Sequence, residues 1–205
     1  ISNEARKLAD ELEVPLFELP WDVRLVEVSQ EVCRAIVLSY VEENSVTHFL
    51  SNILFGDGAL DENVIEKAAY FGYDLSGDCF VCNIDIDNFR EYIDNKKIND
   101  TFRKNEIKNY CGKIIQDSLE DNNLKVPIIH KDDSVIILCK SDKINNRKLE
   151  NALTEIKALI KSHIKGMTVS IGIGNTYSNL SMMKNSLKES QWALNTIKIK
   201  GLKDE

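Results

Sequence analysis

The stretch Phe80-Val81-Cys82-Asn83-Ile84-Asp85-Ile86-Asp87-Asn88-Phe89 constrains the fold more than any other. Its apolar start predicts a buried strand over about 79–86, and its two carboxylates come just before a helix that begins near Asn88. Acids at the C-terminal end of a buried strand stand where α/β folds often place chemistry. Asp85 and Asp87 are two residues apart, so they share a face while strand geometry lasts.

The other elements follow from periodicity and punctuation. Ser2, Ala5, Leu8, Ala9 and Leu12 predict a short amphipathic helix with Ser2 at its N-cap. Val14 to Pro20 reads as a short strand bounded by prolines, so residues 1–28 resemble the last αβ unit of an upstream α/β domain with an incompletely covered apolar surface. A long helix is expected from Ser29 to about Phe55, with Val28, Val32, Ile36, Val41, Val46, Phe49, Leu50, Ile53 and Leu54 on one side. Glu31, Arg34, Glu42 and Glu43 lie on the other. A helix of this length either packs on its own domain or pairs with a second copy in a dimer. Gly56-Asp57-Gly58 closes it, and Asp61 caps a second helix from Glu62 to about Phe71, ended by Gly72.

After the turn Leu75–Asp78 and the first strand, a helix with a break runs through 95–108, and a clearer one covers 108–120. Lys125–His130 and Ser134–Cys139 form a hairpin around Lys131-Asp132-Asp133. A helix over 145–163, a strand Met167–Gly174 and a last helix over 179–199 complete the order β-α-α-β-β-α-β-α. That order is a split βαβ, ferredoxin-like α+β arrangement: an antiparallel sheet with helices on one face.

In this arrangement the first strand and the hairpin are neighbours, so Asp85 and Asp133 approach one another. Two or three carboxylates form a hard oxygen site suited to Mg²⁺. The alternative is that Asp85 and Asp87 cap the next helix while Asp132 and Asp133 are turn residues.

Charge and cysteine usage narrow the function classes. With 33 acidic and 26 basic residues the net charge is −7, whereas a DNA-binding surface needs a basic footprint. Lys184, Lys188, Lys198, Lys200 and Lys203 read as a solvated helix face. Cys79-Phe80-Val81-Cys82 has redox or zinc spacing, but within a strand the two thiols point to opposite faces. The five cysteines are therefore expected to be buried and reduced, in a reducing, cytoplasmic setting. His48, His130 and His163 lack metal-ligand spacing. No run reaches the roughly 18 apolar residues of a membrane span. The chain starts at Ile1 without a signal peptide and reads as a segment of something longer. Gly172-Ile173-Gly174-Asn175-Thr176-Tyr177 imitates a dinucleotide loop, but it lacks the third glycine and a parallel βαβ unit.

The layout also resembles the GGDEF nucleotide-cyclase fold. Asp85-Ile86-Asp87-Asn88-Phe89-Arg90 is similar to that family's D-x-D-x-F-[KR] start, and Val169-Ser170-Ile171-Gly172 to its V-S-x-G strand. The signature hairpin falls on His130-Lys131-Asp132-Asp133-Ser134, so both glycines that let a nucleotide approach the backbone are replaced. Ile93 stands where cyclases have a base-recognising Asn. An acid remains at Asp133, so the resemblance implies a vestigial metal site on Asp85 and Asp133.

Closer still, the chain resembles the degenerate GGDEF-like domain of PucR/CdaR-type transcriptional regulators. Phe49–Gly56 followed by Ala68–Leu75, Asp132–Leu138, and Ser170–Gly174 with Ser186 and Glu189–Leu194 carry the resemblance. The start of the chain looks like the tail of the PucR sensory domain. The resemblance implies a sensory tail at 1–28, a helical linker at 29–75 and a degenerate GGDEF-like domain at 76–205. It implies a bacterial, cytoplasmic, non-enzymatic regulator without cofactors, in a family that includes regulators of purine catabolism. It also implies a homodimer, a small-molecule effector, and DNA contacts only through a helix-turn-helix absent from this chain. Two alternatives remain: a module that binds a nucleotide or purine metabolite, and a divergent cyclase holding Mg²⁺ on Asp85 and Asp133.

Overall fold

The computed structural model describes residues 2–12, 14–56, 60 and 63–201, except the side chains of 39, 40, 42 and 43. It divides into two compact units, Ile1–Asn44 and Ser45–Glu205.

In the first unit, α1 (Asn3–Glu11) is capped by Ser2, whose hydroxyl accepts from the Ala5 N–H at 3.2 Å. Residues 14–20 form no strand, which corrects the expectation. Two prolines remove ladder donors there, and every described strand belongs to the second unit. Helix α2 (Leu25–Phe55) starts four residues before Ser29. Its first half is apolar around most of its circumference, and Leu25, Val26, Val32, Ile36, Val37, Leu38 and Val41 are all exposed. Cys33 is exposed too, so the expectation of five buried thiols fails at this position. The Asp57-Gly58 closure, the Asp61 cap and Glu62 lie outside the described residues.

The second unit is built on a four-stranded antiparallel sheet of order β2-β3-β1-β4. Its strands are β1 (Cys79–Asp87), β2 (Ile128–Lys131), β3 (Ser134–Lys140) and β4 (Thr168–Ile173). All nine residues of β1 are buried, as a central strand covered on both faces requires. Phe80, Cys82, Ile84 and Ile86 point into a core with α5 (Thr101–Asp121) and α6 (Lys143–His163). Cys79 and Val81 point the other way, into a second core with Phe49, Leu50, Ile53 and Leu54 of α2 and Met183 and Leu187 of α7 (Met183–Ile199). Helices thus cover both faces rather than one. The second layer is α7 together with the C-terminal turns of α2; α7 was in the expected order, but order alone does not say which face a helix takes.

Local chemistry sets the boundaries. Helix α3 (Val64–Tyr70) ends on Gly72 at φ +80°, whose N–H and that of Tyr73 return to the Ala69 and Ala68 carbonyls. Asn88, left-handed at φ 54°, turns β1 into α4 (Phe89–Asn95). Helix α5 starts at Thr101 rather than near 108, because the Asp100 side chain accepts from the Phe102 N–H at 3.0 Å. Strand β2 begins after Pro127, which has no N–H to donate. Asp142 caps α6 by accepting from the Ile144 and Asn145 N–H groups.

Candidate functional site

The acids of β1 lie on the α7 side of the sheet, because alternation places Asn83, Asp85 and Asp87 opposite the Phe80–Ile86 series. All three are buried. Registry puts Asp85 between Ser134 of β3 and Ser170 of β4, and Asp87 beside Thr168. The Ser134 hydroxyl donates to Asp85 Oδ1 at 2.8 Å, and the Thr168 hydroxyl donates to Asp87 Oδ2 at 2.7 Å. Lys198, near the end of α7, reaches Asp85 Oδ2 at 2.7 Å. Asp133 touches this region through its backbone, its carbonyl accepting from the Ile86 N–H at 3.0 Å. Neither Asp85 nor Asp87 caps α4, whose N-cap position, Asn88, makes no side-chain capping bond.

The hairpin follows from its own sequence. Asp132 takes φ 54° in a two-residue turn, a conformation for which Asp is better suited than bulky residues. His130 faces α5: a Cβ added to Gly112 would stand 2.7 Å from the imidazole, so the ring lies directly against that helix. Lys131 faces the other way and sets its ammonium 4.4 Å from the Phe55 ring centroid, a cation–π contact. Side chains therefore occupy both sides of the segment where the resemblance places glycines.

Gly172 in β4 and Gly174 just after it serve packing. A Cβ on Gly172 would lie 2.1 Å from the Ser190 carbonyl oxygen, and one on Gly174 would lie 2.0 Å from that of Ser186. Only glycine lets α7 approach this closely, and the Ser186 hydroxyl accepts from the Val81 N–H at 2.9 Å. The following loop is held by Glu189, which accepts from the Asn175 N–H at 2.8 Å and the Tyr177 hydroxyl at 2.7 Å. The Tyr177 hydrogen bond lowers the Glu189 pKa, and the same bond raises that of Tyr177. β4 is antiparallel to β1, so no parallel dinucleotide-binding unit is formed here.

The Cys79 and Cys82 thiols point into different cores, as their spacing implies. Burial pushes Cys79 up to about 11 and Cys82 up to about 12, leaving both as inert thiols. Among the described residues no three His, Cys, Asp or Glu side chains gather as metal ligands. The groups that meet the Asp85 carboxylate are an ammonium at Oδ2 and a hydroxyl at Oδ1. Sequence reasoning missed Lys198, His130 and Lys131 as site residues. Lys198 was detectable, since it continues the sheet-facing series Leu187, Ser190, Leu194 by one more four-residue step.

Residues 56–196 match the model of the GGDEF-like domain family, and the chain belongs to that family. No curated protein matches it significantly. Among solved structures, the chain is similar to the diguanylate cyclase SiaD, crystallised in complex with its activator SiaC from Pseudomonas aeruginosa. Identity is 13% and the TM-score is 0.48, over 98% of this chain and 71% of that one. Among the described residues no helix is long and apolar enough to cross a membrane.

Proposed function

We propose that this chain is a non-enzymatic regulatory region of a bacterial PucR/CdaR-type transcriptional regulator. It couples an upstream sensor to a downstream DNA-binding domain. The observation that carries the reading is the filled hairpin: His130 lies against Gly112 and Lys131 lies over Phe55, where a nucleotide would need open backbone. The exposed apolar half of α2 supports a second part of the reading, pairing with another copy, since such a helix is stable in water only when covered. A signal that biases how two protomers are arranged changes the spacing of the DNA-reading helices attached to them.

The test is incubation of the purified chain with GTP or ATP and Mg²⁺, followed by detection of cyclic or condensed products. No turnover is expected, and turnover that disappears in Asp133→Asn would overturn the reading. Light scattering addresses the pairing separately: a strict monomer at high concentration removes the dimer and leaves the rest standing.

A further inference from the structure

We propose that Lys198 is the resident counter-ion of Asp85, a tethered ammonium that fastens the end of α7 to the sheet and closes this carboxylate to divalent metal ions. Asp85 has only 7% of its side chain exposed, and a carboxylate so deeply buried needs a partner charge and satisfied oxygens. Both requirements are met from within the chain: Lys198 holds Oδ2 at 2.7 Å and Ser134 holds Oδ1 at 2.8 Å. The resemblance to cyclases implies a metal here, and the geometry disagrees. A dication at Oδ2 would stand beside an ammonium already in contact with that oxygen, so the two cations exclude each other.

The surroundings explain why Lys198 is needed. Asn83 Oδ1 and Ser170 Oγ lie buried on the same side of the sheet without a hydrogen-bond partner, and Asp87 commits Oδ2 to Thr168. The floor under the end of α7 is therefore rich in oxygen and short of positive charge. With Lys198 neutralised, Asp85, Asn83 Oδ1 and Ser170 Oγ offer a hard cation three oxygen-bearing side chains on neighbouring positions of β1 and β4. The Lys198 side chain is 53% exposed, so substituting it removes a charge without opening the core.

The inference deepens the closed-site reading above, and its test is independent of turnover because it reads ion binding alone. Thermal unfolding is followed for the wild type, Lys198→Gln, Lys198→Arg, Asp85→Asn and the Lys198→Gln/Asp85→Asn double variant, with and without millimolar MgCl₂ or MnCl₂. The wild type and Lys198→Arg should respond no more than Asp85→Asn. Lys198→Gln should gain about 5 °C with the metal, and the double variant should lose that gain. An Asp85-dependent gain in the wild type, or a folded Lys198→Gln that ignores both metals, overturns the proposal. If Lys198→Gln does not fold, manganese broadening of the wild-type Asp85 amide resonance decides. Selective broadening overturns the proposal, and its absence upholds it.

Discussion

Replacing Gly174 by Ala puts the packing of α7 on the sheet to a quantitative test. The new Cβ would lie 2.0 Å from the Ser186 carbonyl oxygen and 2.5 Å from its Oγ, where real contacts begin near 3.0 Å. The obstacle is helix backbone, so α7 must retreat by about 1 Å or the sheet must bend. Overpacking of this kind costs about 1–3 kcal/mol. The same retreat stretches the 2.9 Å bond from the Val81 N–H to the Ser186 hydroxyl, and an unsatisfied buried donor adds about 1–3 kcal/mol. Together the loss is about 2–6 kcal/mol, a fall in Tm on the order of 10 °C for a unit of this size. Gly77→Ala is the control: its φ is +83° but no atom lies within 4 Å of the added Cβ, so strain alone costs about 1–2 kcal/mol. Urea unfolding monitored by circular dichroism measures both. A Gly174→Ala variant within about 0.5 kcal/mol of wild type, or one less damaged than Gly77→Ala, would refute the argument that these glycines exist for the helix.

Two further predictions concern the burial of the thiols and a depressed carboxylate. Cys33 alone is exposed among the five cysteines, on the half of α2 proposed to pair, so at a dilution that keeps the chain monomeric a thiol reagent should label one site quickly, and five after unfolding; fast labelling of two or more would contradict the packing. Asp74 is held at a pKa of about 2, first by its hydrogen bond from Lys140 and then by those from Ser76. A depressed carboxylate stabilises the fold fully above its unfolded value and loses that effect as pH falls through the folded one. The advantage of wild type over Asp74→Asn should therefore shrink between about pH 4 and pH 2. The effect is small because Asp74 is largely exposed, and a difference independent of pH across that window would rule out the assignment.

The central strand and the order of elements after residue 78 were legible because apolar runs, glycines and capping residues are local signals. The hairpin was legible from Asp132-Asp133 between two β-rich runs. The second helical layer was not, because element order does not say which face α7 takes, and the pattern of α2 is the same whether it packs on its own sheet or on another chain. The supposed strand at 14–20 failed for a related reason: a short apolar run specifies a strand only where a partner edge exists. At the site, Asp85 stood out by its motif, but the sequence pointed to Asp133 as its neighbour, whereas the strand register places Ser134 there. Lys198 was grouped with a run of lysines and assigned to solvent; its place in the sheet-facing series of α7 was readable, but the acid it meets lies more than a hundred residues earlier in the chain. The fates of His130 and Lys131 depended equally on contacts distant in sequence, with Gly112 and Phe55.

On the proposed reading, this GGDEF-like domain offers a nucleotide and its metal neither an open hairpin nor a free carboxylate. Titration calorimetry of the chain with GTP in the presence of Mg²⁺ tests it most directly. No saturable heat is expected in wild type, and no difference between wild type and Asp85→Asn. Saturable binding that is abolished by Asp85→Asn or Asp133→Asn would contradict it.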